Sequence, residues 1–132
     1  METLDAIFMR RSIRRFKAGP VGDDLLQTFL RPGLQAPSAN NLQPWRFIIP
    51  TKRDLLDAVL SFHRYSAMLR EASLAVLVCV GRKAQPTEGY WVQGCSAAMW
   101  NILLAARAPG LGAVWPGIYP LKERMQGTTG LL

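Results

Sequence analysis

Residues 36–45 read APSANNLQPW, and the other readable pieces of the chain make most sense grouped around this stretch. It stands between an apolar run with helical spacing and the β-like run RFIIP at 46–50. Pro37 and Pro44 fix their own φ and push the residue before each toward extended backbone. Ser38, Asn40, Asn41 and Gln43 offer donors and acceptors without charge. Two readings fit these facts. The stretch is a rigid loop that recognises a flat, neutral, polar-edged ligand, or it is an ordinary well-capped loop in front of a strand.

Upstream, Gly19-Pro20 breaks the chain, and Asp23 or Asp24 can cap a helix with Leu25, Leu26, Phe29 and Leu30 on its inner face. Pro32 and Gly33 predict a kink or two short pieces ending near Ala36. Earlier still, TLDAIFMR at 3–10 sets Leu4, Ile7 and Phe8 on one helical face. It runs into the one dense basic cluster, RRSIRRFK at 10–17. Guanidinium groups and the Ser12 hydroxyl at such short spacing suit a phosphate clamp with charge-assisted, often bidentate bonds. The same cluster also fits a solvated basic helix end, favourable against the helix dipole.

Downstream, residues 46–49 predict a strand. Thr51 and Asp54 resemble a capping box for a helix whose apolar face holds Leu55, Val59 and Leu60. His63 is the only histidine, with no legible catalytic pattern around it, and reads as a surface or satisfied residue rather than a catalyst. LAVLVCVG at 74–81 predicts a central strand buried on both faces, followed by the polar loop RKAQP. Thr87 can cap the longest helix, 88–108. That segment is apolar on nearly all sides and so belongs in the core or at a subunit interface. Pro109-Gly110 stops it. GAVWPGIYP at 112–120 reads as a strand over 112–119 broken by Pro116-Gly117, where the glycine lets another group approach the backbone or simply makes an edge bulge. Helices and three strands in alternation predict an α+β or α/β sandwich.

The chain has 132 residues, 49% of them hydrophobic, enough for a single domain with its own core. Its net charge of +7 is dispersed: residues 1–66 carry 10 Lys/Arg against 6 Asp/Glu, and the remainder 6 against 3. With no recognition motif, that pattern argues against nucleic acid and is compatible with a phosphate-bearing ligand. Cys79 and Cys95 each lie in an apolar segment and read as buried thiols of a reduced, cytoplasmic protein. No signal peptide, membrane-spanning run or metal-ligand cluster is expected.

RRSIRRF near the start, APSANNLQPW next, and a long apolar helix leading to LGAVWPGIYP together resemble the nitroreductase family of FMN-dependent oxidoreductases. The resemblance covers roughly residues 3–125. It implies an α+β fold, a central mostly antiparallel sheet flanked by helices, built as an intertwined homodimer with FMN in the interface. Arg10 and Ser12 then match phosphate ligands, with Arg11 alongside, and Arg14 matches the cation at the pyrimidine edge of the flavin. Pro37, Ser38 and Ala39 match the loop that the partner subunit lays beside the ring, with Asn41 as a polar contact. Pro116 and Gly117 match the turn facing N5, an amide of that turn being the donor. The implied reaction is ping-pong hydride transfer from NAD(P)H to a small-molecule acceptor such as a nitroaromatic or quinone, and no acid–base pair is needed because the flavin carries the chemistry. After Met125 the chain reads QGTTGLL, where the family continues through another strand and a C-terminal extension. The expectation is a single domain, 1–132, lacking both, and the alternative is a truncated, non-catalytic flavin-binding or subunit-interaction protein.

Overall fold

A computed structural model describes residues 1–81 and 83–132. Arg82, in the polar loop expected after the second strand, lies outside the described residues.

Two helices make the largest contact. Helix α2, Asp23–Leu34, starts at Gly22 as N-cap, with Asp23 and Asp24 in its first turn where carboxylates oppose the positive end of the dipole. Helix α4, Tyr90–Arg107, buries the stripe Gly94, Ala98, Ile102, Leu103 and Ala106. Phe29 and Leu30 of α2 join Ile102 and Ala106 of α4 in one core cluster. The helices approach closely at Gly33: a Cβ there would lie 2.8 Å from Ile102 Cγ1 and 3.0 Å from Phe47 Cζ. The kink expected at Pro32 does not form. Pro32 lies in the final turn, so its missing N–H removes one bond near the helix end. The freed end is closed by the Gln35 N–H donating to Pro32 O and by Asn101 Nδ2 donating to Pro32 O at 3.0 Å.

The helix before this pair is α1, Thr3–Met9, of which only Ala6 is buried. Its expected apolar face points outward: Leu4 is 65% and Phe8 70% exposed. Strands β1, Trp45–Ile48, and β2, Leu77–Val80, pair antiparallel with Trp45 opposite Val80 and Phe47 opposite Val78. Period-2 alternation puts Trp45 and Phe47 inward and Arg46 and Ile48 outward. Trp45 packs with Ala36 of the preceding loop and Ala98 of α4. The second strand is shorter than expected and only half-buried, because among the described residues it pairs with a single four-residue neighbour.

The third expected strand, 112–119, is not one. A single parallel bridge joins Ser12 to Ala113, with the Ile13 N–H donating to Ala113 O at 3.0 Å. Pro116 has no N–H to carry a ladder onward. Two caps also differ from expectation. Gly89 at φ 90°, not Thr87, precedes α4. Lys52 precedes α3, Arg53–Ala58, and no Thr51–Asp54 box forms; Asp54 Oδ1 accepts from the Leu55 N–H instead. Leu56 is the buried residue of α3, packed with Leu69 and Ala72. Arg53 ties α3 to the segment behind it by donating to Ala72 O and Leu69 O. Beyond Pro120 the chain forms a fifth helix, α5, Lys122–Leu131, where a tail was expected. The sum is an α+β arrangement of helices around a short antiparallel sheet.

Candidate functional site

Three segments singled out by sequence meet α4 at successive points. Arg10 is the C-cap of α1, and its guanidinium sits over the Trp100 ring at 5.2 Å to the centroid. Ser38 lies beside Gly94, as does the Trp45 ring. Tyr119 packs edge-on against Trp91, centroids 4.7 Å apart at 74°. At 3.6 residues per turn, Trp91 and Gly94 share one face of the helix, while Trp100 points about 120° or more away from both. One chain therefore does not gather all three segments on a single face.

The basic segment is only partly satisfied from within the chain. Arg10 Nε is buried with no hydrogen-bond partner. Arg11 turns back, its Nη1 donating to Phe8 O at 2.7 Å and Arg10 O at 2.8 Å. Arg14 is exposed. Among the described residues the ion pairs are Arg15–Glu71 and Arg53–Asp57, so Arg10, Arg11 and Arg14 have no carboxylate partner.

The loop from Pro37 to Gln43 is built from inside itself. Ser38 Oγ accepts the Gln43 N–H at 2.9 Å, and Ser38 O accepts the Asn41 N–H at 3.0 Å. Asn40, Asn41 and Gln43 hold φ of 55°, 52° and 47°. Asparagine tolerates that left-handed region, but glutamine does so at a cost on the order of 1 kcal/mol. The Ser38 hydroxyl, which looked ready for a ligand, thus serves the loop.

The turn at Pro116-Gly117 is held from behind. Gly117 O accepts from His63 Nε2 at 2.8 Å and from Arg124 Nη1 at 2.8 Å. His63 is 2% exposed. Its burial, then the Arg124 guanidinium, push its pKa below the usual histidine value.

The structure joins the basic segment to residues 112–113, which lead into the turn, through the Ser12–Ala113 bridge and the packing of Ile13 on Gly112, where a Cβ would meet Ile13 Cγ2 at 2.8 Å. No hydrogen bond or ion pair among the described residues joins residues 37–41 to either. No role in the site was expected of His63, Trp100 or Arg124. A lone histidine, one tryptophan in an apolar helix and an arginine in an unfamiliar tail carry no spacing signal. Both cysteines are half-buried rather than buried, and burial raises the Cys95 thiol to about 11. A depression of about 560 Å³ is lined by Phe16, Pro20, Arg53, Arg70, Glu71 and Ser73 and contains none of these groups. Among the described residues no helix is long and apolar enough to cross a membrane, and no group of three His, Cys, Asp or Glu could hold a metal.

Residues 7–72 match the profile of the nitroreductase family. A protein of Methanothermobacter thermautotrophicus, provisionally named NADH dehydrogenase/NAD(P)H nitroreductase, is 42% identical over 127 residues, which cover 96% of this chain and 66% of that protein. The crystal structure of a protein of the same provisional name from Parabacteroides distasonis superposes with a TM-score of 0.93 at 37% identity, covering 98% of this chain and 76% of that one. A provisionally named nitroreductase of Desulfovibrio desulfuricans, solved in complex with FMN, gives 0.84 at 37% identity over 98% of this chain and 73% of that one. The chain spans about two-thirds to three-quarters of the length of these relatives. Its α+β architecture is the nitroreductase fold. The chain belongs to the nitroreductase family.

Proposed function

We propose that this protein is an FMN-dependent oxidoreductase that uses NAD(P)H to reduce small-molecule acceptors such as nitroaromatics or quinones. The observation that carries the reading is Arg10: a guanidinium packed on Trp100 with a buried, partnerless Nε, two residues before the exposed Ser12. An orphaned charged donor fits a phosphate, which supplies the missing acceptor. Bound there, FMN would supply hydride transfer by a ping-pong route.

The chain's own residues bind and orient. Arg10 and Ser12 hold the phosphate with Arg11 alongside. Arg14 supplies a cation at the pyrimidine edge, favouring the negative charge that builds on the ring. The Pro116-Gly117 turn offers an amide toward N5. Pro37, Ser38, Ala39 and Asn41 come from a second copy, a reading supported by the absence, among the described residues, of any hydrogen bond or ion pair that joins that loop to the basic segment or the turn within one chain. The protein acts as a single-domain homodimer in the cytoplasm, with no nucleic-acid or membrane partner.

Purified protein should bind FMN and turn yellow. Arg10→Ala should weaken FMN binding about tenfold or more, the loss of a charge-assisted phosphate contact. Unchanged affinity in a flavin fluorescence titration counts against the clamp. Steady NADH oxidation with menadione separates this reading from a flavin-binding protein without turnover.

A further inference from the structure

Two side chains from distant parts of the chain converge on one backbone oxygen. His63 follows a 3₁₀ turn at Val59–Ser61, and its own backbone is pinned: the His63 N–H donates to Val59 O at 2.9 Å. His63 O accepts from the Ser66 N–H at 3.1 Å and from Ser66 Oγ at 2.6 Å. The ring reaches Gly117 O at 2.8 Å through Nε2. A carbonyl oxygen only accepts, so Nε2 carries the proton and the neutral ring leaves Nδ1 bare. Nδ1 is buried and has no partner. Arg124, from α5, donates to the same oxygen at 2.8 Å while its guanidinium lies 5.7 Å from the Tyr65 centroid.

Two donors occupy both lone pairs of that carbonyl. The peptide is planar and trans, so fixing the Gly117 C=O fixes the Ile118 N–H to point the opposite way. On its far side the turn is closed by the Leu121 N–H donating to Ile118 O at 3.0 Å. Among the described residues neither the Gly117 nor the Ile118 N–H has a protein acceptor. The back of the turn is fully engaged and its front amides are free to receive a ligand.

We infer that His63 is a positioning residue, which with Arg124 locks the Gly117–Ile118 peptide so that the turn presents its amides to the cofactor. The inference rests on the proposed role of that turn. A buried imidazole with one orphaned nitrogen is a poor way to fill space, since an aliphatic side chain would pack there without stranding a polar atom. Its return is directional: it aims a carbonyl, and through it an amide.

The chain's single histidine makes the test direct. In ¹⁵N-histidine-labelled wild-type protein without cofactor, the ring should show a protonated Nε2 and a bare Nδ1 at neutral pH. A freely exchanging or Nδ1-protonated ring overturns the inference. With FMN bound, His63→Leu should slow flavin reduction by NADH about tenfold while FMN affinity stays within about threefold, because orientation rather than binding is lost. His63→Gln, whose amide can donate to the same oxygen, should recover most of the rate. Equal rates for wild type and His63→Leu refute the role. Should His63→Leu fail to fold, Arg124→Met at a half-exposed site takes its place: a slower rate at unchanged affinity supports the inference, and an unchanged rate overturns it. Wild-type protein that takes up no FMN sinks the functional reading instead, and the histidine spectrum then decides whether the imidazole holds the turn.

Discussion

At the residue scale, His63 couples the turn to pH. Burial and the Arg124 cation hold its folded-state pKa below the ordinary value of about 6.5. In the window beneath 6.5 the unfolded chain binds the proton more readily than the folded one, so stability rises with pH there. Stability is fully present above the unfolded pKa and drains away as pH falls from it toward the folded pKa. Urea midpoints measured between about pH 5 and 7.5 should show this slope, and His63→Gln should flatten it. A slope identical in both proteins would assign it to the carboxylates. None of this was legible in the sequence, where His63 reads as a surface or satisfied residue; at 2% exposure it is not at the surface. The other alternative is half right: one ring nitrogen is satisfied and the other is not.

At the scale of elements, the two-stranded sheet is short, and β1 depends on what it is packed against. Trp45, 3% exposed, fills the space between Ala36, Ala98 and the Gly94 backbone. It anchors the loop that precedes it as well as the strand it starts. Trp45→Ala should cost about 3–5 kcal/mol in chemical denaturation, the usual range for removing a buried aromatic. A loss under about 1 kcal/mol would mean that the loop and helix collapse into the space. Element types were mostly legible: the helices over α1, α2 and α4 and the strands β1 and β2 follow from apolar periodicity. Caps and ends were not. Thr87 and Thr51 are good capping residues by type, yet Gly89 and Lys52 take those positions because the incoming loops, not the local side chains, set where each helix begins.

At the scale of the whole molecule, the uncovered apolar surface is the main feature. Leu4 and Phe8 on α1 and Trp100 on α4, 39% exposed, lie near Arg10, where the proposed phosphate site begins. In the proposed homodimer a second copy covers them. Phe8→Ser should then shift a dimer toward monomer, since burying a phenylalanine contributes about 1.5–3 kcal/mol and the change occurs twice in a symmetric pair. Sedimentation equilibrium reads this directly, and a wild-type monomer at micromolar concentration would remove the basis for a shared cleft. The basic cluster, the 36–45 loop and the Pro-Gly turn were all visible as motifs, but their spacing in the chain says nothing of their spacing in space.

The sequence by itself determined the family, the α+β class and the three segments that a ligand would need, because residue type and local periodicity are properties of short stretches. Only the tertiary structure decided that 112–119 makes one bridge rather than a strand, and that the final residues form a helix. It also decided that His63 and Arg124 grip Gly117 from behind. Those outcomes depend on which partner arrives to satisfy a given N–H or C=O, and a partner 54 residues away leaves no trace in local pattern.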